Sequence, residues 1–189
     1  MLGYAYTVQY EQGGFEEELL LSSLTVSSKR AVEDFKGIVV GGININNLRY
    51  ADDTALLAEN ESDLQDLLTA VNTEGERYGM NINVSTTKVT VISKNEVIPV
   101  ANISLNGTVL QQVSNVVYLG HMITSDGKCE TEIKRRIEIA RGVFENMSKI
   151  FTSRNIKGCQ RLVRCYVWST LLYGVETWSV SKSAVKKLE

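Results

Sequence analysis

The stretch from Asn46 to Ala58 constrains the fold of this chain more than any other. An adjacent pair of aspartates, Asp52 and Asp53, separates two apolar runs. Residues of the apolar runs favour extended, packed structure, whereas aspartates favour a tight turn. The apolar residues are Leu48, Tyr50, Leu56 and Leu57. The pattern therefore predicts a β-hairpin with carboxylates at its tip. An exposed turn between two ordinary strands is the simpler alternative.

Two adjacent carboxylates repel each other unless a positive charge lies beside them, and a divalent cation commonly supplies it. Mg²⁺ binds proteins through one or two carboxylates together with substrate phosphates. Tyr50-Ala51-Asp52-Asp53 resembles the metal-binding hairpin of reverse transcriptases, and "NNLRYADDTALLAEN" is similar to the form found in non-LTR (LINE-type) retrotransposons. The resemblance implies Asp52 as a catalytic metal ligand, Asp53 as its weaker partner, and Tyr50 and Ala51 near the primer end. It also implies Mg²⁺ or Mn²⁺ as the cofactor.

The segment after the hairpin predicts a helix followed by a strand. Asn60 is a candidate N-cap, and Gly79 is placed to end the helix. "MNINVSTTKVTVISK" then alternates like a strand. In the resembling family this strand carries Asn-x-x-Lys-Thr, with the lysine on the pyrophosphate side. Counted from Asn83, the position of that lysine is occupied by Thr86. Lys88, two residues further along the same strand face, is the candidate for the cation on the pyrophosphate side. The alternative is that Lys88 is an ordinary solvated strand lysine.

Further along, Asn106-Gly107 predicts a hairpin turn. "YLGHMITSDGKCETEIKRRI" is similar to the family's segment after the palm sheet, where a hairpin supports the primer terminus and the thumb begins. The residue types matching Tyr118 and Leu119 are largely apolar, and we therefore expect both side chains to pack in a core.

The C-terminal third predicts two helices, at about 130–151 and 158–173, from their apolar periodicity. If the first is a thumb helix, its cations would bind the phosphates of a template–primer duplex; solvated helix faces are the alternative. These cations are Lys134, Arg135, Arg136 and Arg141. Trp168 and Trp178 are expected to anchor helix packing rather than to stack on bases.

Together these elements predict an α+β chain: a partial polymerase palm, formed by an antiparallel sheet with a packed helix, and then a helical thumb-like region. The expected boundaries are a poorly patterned segment at 1–36, the palm at 37–127, and the thumb-like or connection region at 128–189. The resemblance implies descent from an RNA-directed DNA polymerase (a nucleotidyltransferase) that uses an RNA template, a DNA primer and dNTPs, through two-metal nucleotidyl transfer.

The expected polymerase is incomplete. A palm needs a second metal-binding aspartate on an earlier strand, and the only aspartate before Tyr50 is Asp34, which lies too close to the hairpin. The fingers are missing too, as would be expected if the N-terminal palm and fingers belong to a longer polyprotein. We therefore expect no primer extension by this chain alone. The alternative is a non-enzymatic, nucleic-acid-binding or inert remnant of a decayed mobile element. A phosphorylatable receiver domain is disfavoured, because residues 83–119 contain no aspartate.

Composition excludes several other classes of protein. No apolar run is long enough to cross a bilayer, and the first residues lack the pattern of a signal peptide. The three cysteines are too few and unevenly spaced for a disulfide framework, and His121 is the only histidine. Residues 1–119 are acidic and residues 120–189 are basic, which suits carboxylates for a metal followed by cations for a nucleic acid. We expect an intracellular protein, in the nucleus or the cytoplasm.

Overall fold

The computed structural model describes the backbone of residues 3–11 and, with side chains, residues 32, 34–50, 53–94, 97–151, 159–180 and 185. The chain divides into two compact units, Met1–Gly127 and Lys128–Glu189. Strands with one long helix form the first unit, and helices predominate in the second. This mixture confirms the predicted α+β class.

A six-stranded sheet forms the base of the first unit. Its strands are β1 (Gly3–Glu11), β4 (Asn47–Tyr50), β5 (Asp53–Ala58), β6 (Asn81–Ile82), β7 (Lys88–Ile92) and β10 (Gln111–Gln112). They follow the order β10-β7-β1-β5-β4, and the short β6 pairs with β1 beyond the end of β7. Strand β10 runs parallel to β7, and the other pairs are antiparallel.

Strand β1 occupies the centre of this sheet, between β5 and β7. The sequence predicts no element there, because the local pattern of residues 1–36 is weak. A central strand is determined by its partners as much as by its own residues, and these partners lie more than 40 residues further along the chain. The register places Gln9 opposite Asp53 and Thr7 opposite Lys88.

Helix α1 (Glu61–Arg77) covers one face of the sheet. It begins as predicted at the N-cap Asn60, whose side-chain oxygen accepts a hydrogen bond from the backbone N–H of Asp63 at 2.8 Å. Its buried leucines pack against alternate residues of β5 and β7, including Leu56 and Val89. Because successive side chains of a strand point to opposite faces, Asp53 and Lys88 lie on the face away from α1.

Three short hairpins complete the first unit: β2 (Ile38–Val40) with β3 (Ile43–Ile45), β8 (Ser104–Leu105) with β9 (Thr108–Val109), and β11 (Asn115–Tyr118) with β12 (His121–Thr124). The predicted turn at Asn106-Gly107 joins β8 to β9, with φ of 50° and 79°. Leu119 and Gly120 join β11 to β12 in the same way, with φ of 47° and 74°. These positive angles match the strand twist in two-residue hairpins, but they are unusual for leucine.

The second unit contains α2 (Glu130–Asn146), α3 (Ser148–Phe151), α4 (Cys159–Leu162), a π-helix (Val163–Trp168), α5 (Ser169–Leu171) and a 3₁₀-helix (Val175–Thr177). The first predicted helix is interrupted at Met147, and the second contains the π-helical turn.

Trp178 is 8% exposed and packs against Ile133, whereas Trp168 is 54% exposed. The expectation of a packing anchor is confirmed for Trp178 and wrong for Trp168. In the described part of the chain, no helix combines the length and hydropathy needed to cross a bilayer.

Candidate active-site cleft

The predicted aspartate hairpin is present as the antiparallel pair β4–β5, in which Tyr50 lies opposite Asp53. Asp53 is the first residue of its strand, so its side chain extends from the sheet face rather than from within the turn. Tyr50 is 66% exposed on the same face. Ala51 and Asp52 lie outside the described residues, and the roles assigned to them remain predictions.

Asp53 lines a cleft of about 260 Å³ on the sheet face opposite α1. The cleft draws residues from three separate segments of the chain: the aspartate hairpin, the turn before β7, and the segment that leads through β11. Its lining consists of Asp53, Thr86, Lys88, Val113, Asn115, Val116, Val117 and Tyr118. The structure thus brings together Asp53 and Lys88, two residues that the sequence singles out.

The turn that begins at Asn83 sets the position of Lys88. The side-chain oxygen of Asn83 accepts hydrogen bonds from the backbone N–H groups of Ser85 (2.9 Å) and Thr86 (3.3 Å), and its carbonyl accepts the hydroxyl of Thr87 (2.6 Å). An asparagine that binds the backbone in this way favours a turn over a strand. The single predicted strand is therefore two, β6 and β7, and Lys88 begins the second. The expectation that Thr86 and Lys88 share a strand face is wrong, although both side chains line the cleft.

The ammonium group of Lys88 is held by two neutral acceptors. It donates hydrogen bonds to the side-chain oxygen of Gln111 at 2.7 Å and to the carbonyl oxygen of Ser85 at 2.9 Å. Neither acceptor carries a charge, so these bonds orient the cation without neutralising it. A positive charge is thereby kept at a cleft that also contains a carboxylate.

Tyr118 forms part of the cleft wall and is half-buried. Burial raises the pKa of its phenol, and the negative charge of Asp53 raises that pKa further. The phenol therefore lies within electrostatic reach of the carboxylate. We expected Tyr118 to be a core residue; the signal that could have placed it in the site was the resemblance of "YLGHM" to a segment near the primer terminus.

The donor set of the cleft suits a metal ion that is shared with a substrate. Among the residues that the structure describes, no group of three or more His, Cys, Asp or Glu side chains is placed to hold a metal. Of the described residues that line the cleft, Asp53 is the one that carries a carboxylate. Mg²⁺ commonly takes only one or two protein carboxylates and completes its shell with phosphates and water. Asp53, with Asp52 beside it in the sequence, fits that kind of binding but not an enclosed protein site.

The four cations predicted on α2 differ in their surroundings. Lys134 and Arg141 are exposed, and both Oε atoms of Glu138 lie 2.9 Å from one guanidinium nitrogen of Arg141. Arg136 is buried: its Nε lies 2.6 Å from Oε1 of the fully buried Glu132, and its guanidinium lies 4.4 Å from the centre of the Tyr173 ring. Arg135 is partly buried, 3.6 Å from the same carboxylate. Lys134 and Arg141 are thus accessible to a ligand, whereas the contacts of Arg136 favour an internal, structural role.

Comparison with known proteins agrees with this geometry. The family model described as reverse transcriptase (RNA-dependent DNA polymerase) matches residues 21–123, which is more than half of the chain. A transposon-derived protein of Caenorhabditis elegans is 28% identical over 156 residues, covering 79% of this chain. The chain spans about half the length (54%) of that relative. The expected resemblance to a retrotransposon enzyme is thereby confirmed, and the chain belongs to the reverse transcriptase (RNA-dependent DNA polymerase) family.

Proposed function

We propose that this chain is the hairpin-bearing half of the palm of a non-LTR retrotransposon reverse transcriptase, followed by a thumb-like helical unit. The observation that carries the proposal is the cleft, because three separate segments contribute Asp53, Lys88 and Tyr118 to it. A carboxylate and an orienting cation in one cleft suit a triphosphate that arrives with its divalent cation. The palm would comprise residues 37–127 together with β1, the central strand of its sheet, and the thumb-like unit residues 128–189.

Each residue has a distinct part in the proposal. Asp53, together with Asp52, would hold a Mg²⁺ or Mn²⁺ ion, which when bound neutralises phosphate charge and activates the primer hydroxyl. Lys88 would offset the charge that develops on the departing pyrophosphate, in place of the cation missing at Thr86. Tyr50, exposed beside Asp53, would contact the primer end.

The same cleft accounts for the proposed inability of the chain to extend primers alone. The central strand β1 brings Gln9, not a carboxylate, opposite Asp53. Asp34, the only aspartate that precedes the hairpin, lies outside the set of cleft residues. Among the described residues that line the cleft, Asp53 is thus the one carboxylate, and primer extension would need a further carboxylate to bind a second metal ion.

Binding of a dNTP in the presence of Mn²⁺, measured by isothermal titration calorimetry, tests the proposed cleft. We expect metal-dependent binding that falls at least tenfold in Asp53→Asn. Asp66→Asn is the matched control, because Asp66 is exposed on α1, which covers the opposite face of the sheet. Equal binding by the Asp53 and Asp66 variants, or no metal-dependent binding in the native chain, would contradict the proposal. The second of these results would favour an inert remnant of a mobile element.

Primer extension on an RNA template, with Mg²⁺ or Mn²⁺, tests the proposed incompleteness. We expect no extension by the chain alone. Extension by the native chain that disappears in Asp52→Ala would show that the catalytic centre is already complete. Extension that persists in Asp52→Ala would point to a contaminating polymerase, and a repeat with protein purified by a second route would then decide the outcome.

A further inference from the structure

An exposed stripe runs along the helical segment of the second unit that contains the π-helix. It consists of Arg161, Arg164, Trp168 and Leu172, spaced three, four and four residues apart, so that all four lie on one side of the helical segment. Trp168 is 54% exposed, and both arginines are also exposed. We call these four residues the Trp168 stripe. About half of this large aromatic side chain is therefore accessible to a ligand.

The backbone beneath the stripe is unusual. Residues Val163–Trp168 form a π-helix between two α-helical turns. Hydroxyl groups that follow it bind carbonyls in the widened turn: Ser169 donates to the carbonyl of Cys165, and Thr170 donates to that of Tyr166 at 2.7 Å. Side chains that bind the preceding turn in this way distort an α-helix. Single π-helical turns are rare and are often found at functional sites, and this one carries both Arg164 and Trp168.

The segment that carries the stripe is basic. From Cys159 to Val175 it contains two basic residues, Arg161 and Arg164, and no aspartate or glutamate. A surface of this charge attracts a polyanion, and it disfavours a partner that offers only apolar contacts. An aromatic ring beside guanidinium groups is the combination that binds unpaired bases by stacking and their phosphates by charge.

We propose that the Trp168 stripe binds single-stranded nucleic acid, with one base stacked on Trp168 and adjacent phosphates bound by Arg161 and Arg164. Every nucleobase has a flat face, so the contact does not depend on sequence. The proposal goes beyond the function assigned to the cleft. It uses no residue of the cleft, and either proposal can fail while the other stands.

The two tryptophans of the chain allow a direct test. Trp168 is exposed and Trp178 is buried, so stacking at the stripe should quench the fluorescence of the first alone. We expect a dT₁₂ oligonucleotide to quench emission of the full chain, and the quenching to be absent in Trp168→Phe. The affinity of each variant is then measured by fluorescence anisotropy with a labelled dT₁₂. We expect a loss of about tenfold in Trp168→Ala and a smaller loss in Trp168→Phe, which keeps a ring for stacking.

Tyr166→Ala is the matched control, because Tyr166 is an exposed aromatic residue of the same π-helix but lies outside the stripe. It should bind dT₁₂ as the native chain does. Arg164→Gln should weaken binding and reduce its dependence on salt concentration. Far-UV circular dichroism checks that each variant is folded, and Trp168→Phe serves as the second variant if Trp168→Ala is not.

Several results would overturn the proposal. Equal losses in Trp168→Ala and Tyr166→Ala would show that Trp168 has no special role. Heparin has charge but no bases. If Trp168→Ala loses as much affinity for heparin as it loses for dT₁₂, stacking does not contribute to binding. Light scattering tests whether the stripe is a protein interface instead. That conclusion would follow if the native chain is a dimer, Trp168→Ala is a monomer, and dT₁₂ does not compete with dimerisation.

Discussion

The ammonium group of Lys88 lies 2.7 Å from the side-chain oxygen of Gln111, its register partner on the neighbouring parallel strand. This contact ties the first residue of β7 to the edge strand β10. Gln111 does not line the cleft, but it restrains the cation that does. The position of the charge at the cleft therefore depends on a residue that the sequence pattern did not single out.

We predict that Gln111→Leu weakens metal-dependent dNTP binding about tenfold, because a hydrogen bond to a charged group contributes about 1.5 kcal/mol. Lys88→Met should weaken binding at least as much. Titration calorimetry measures both effects, with Gln160→Leu, an exposed glutamine in the second unit, as the control. Unchanged affinity in Gln111→Leu alongside a clear loss in Lys88→Met would show that Gln111 does not position the cation.

The phenol of Tyr118 provides a test of the electrostatics. Burial and the charge of Asp53 both raise its pKa, so Asp53→Asn should lower that pKa while leaving it above the ordinary value, because burial remains. A folded-state pKa above the unfolded value contributes stability at low pH, which is lost as the pH rises through the folded-state pKa. Ultraviolet difference titration against Tyr118→Phe isolates this tyrosine. A pKa that does not respond to Asp53→Asn would place the carboxylate out of reach.

Glu132 should be important for the stability of the second unit. Its carboxylate is fully buried, 2.6 Å from Nε of Arg136 and 3.6 Å from Nε of Arg135. Glu132→Gln leaves the buried Arg136 without its counter-charge, and we expect a loss of about 3 kcal/mol in the free energy of unfolding. Glu138→Gln breaks an exposed pair on the same helix and should cost about 0.5 kcal/mol or less. Urea denaturation distinguishes the two, and equal losses would contradict the assignment.

At Leu119 we predict that asparagine is better tolerated than alanine. Leu119 adopts φ of 47°, a left-handed conformation that costs an ordinary residue about 1–2 kcal/mol and that asparagine tolerates better. Leu119→Asn should therefore raise the free energy of unfolding by about 1 kcal/mol relative to Leu119→Ala, which keeps the strain and also shortens the side chain. Thermal unfolding of the two variants measures the difference. An Asn variant that is no more stable than the Ala variant would contradict the prediction.

Local patterns predicted the elements whose signals are contained within a few residues. The hairpin at Asp53, the N-cap at Asn60 and the turn at Asn106-Gly107 all follow from residues that are adjacent in sequence or nearly so. Each is determined by backbone preferences of the residues involved, and tertiary contacts did not overrule them. The identity of the fold family followed from the same short stretch.

Features that depend on distant contacts were not predictable in this way. The strand alternation around Lys88 concealed the turn at Asn83, because the side-chain hydrogen bonds that form it do not alter the apolar pattern. The exposure of Trp168 could not be inferred either, since a helical stripe does not reveal which face finds a partner. Arg136 looked like a surface cation, and only its pairing with Glu132 shows otherwise.

The central position of β1 has a consequence for how the protein must be handled. Its nine residues supply backbone hydrogen bonds to β5 on one side and to β7 and β6 on the other. Trimming the first eleven residues as a dispensable leader would leave two unpaired strand edges facing each other, and open edges of this kind recruit strands from other molecules. A shortened version would be expected to precipitate or to exchange strands, so expression of this protein should retain its amino terminus.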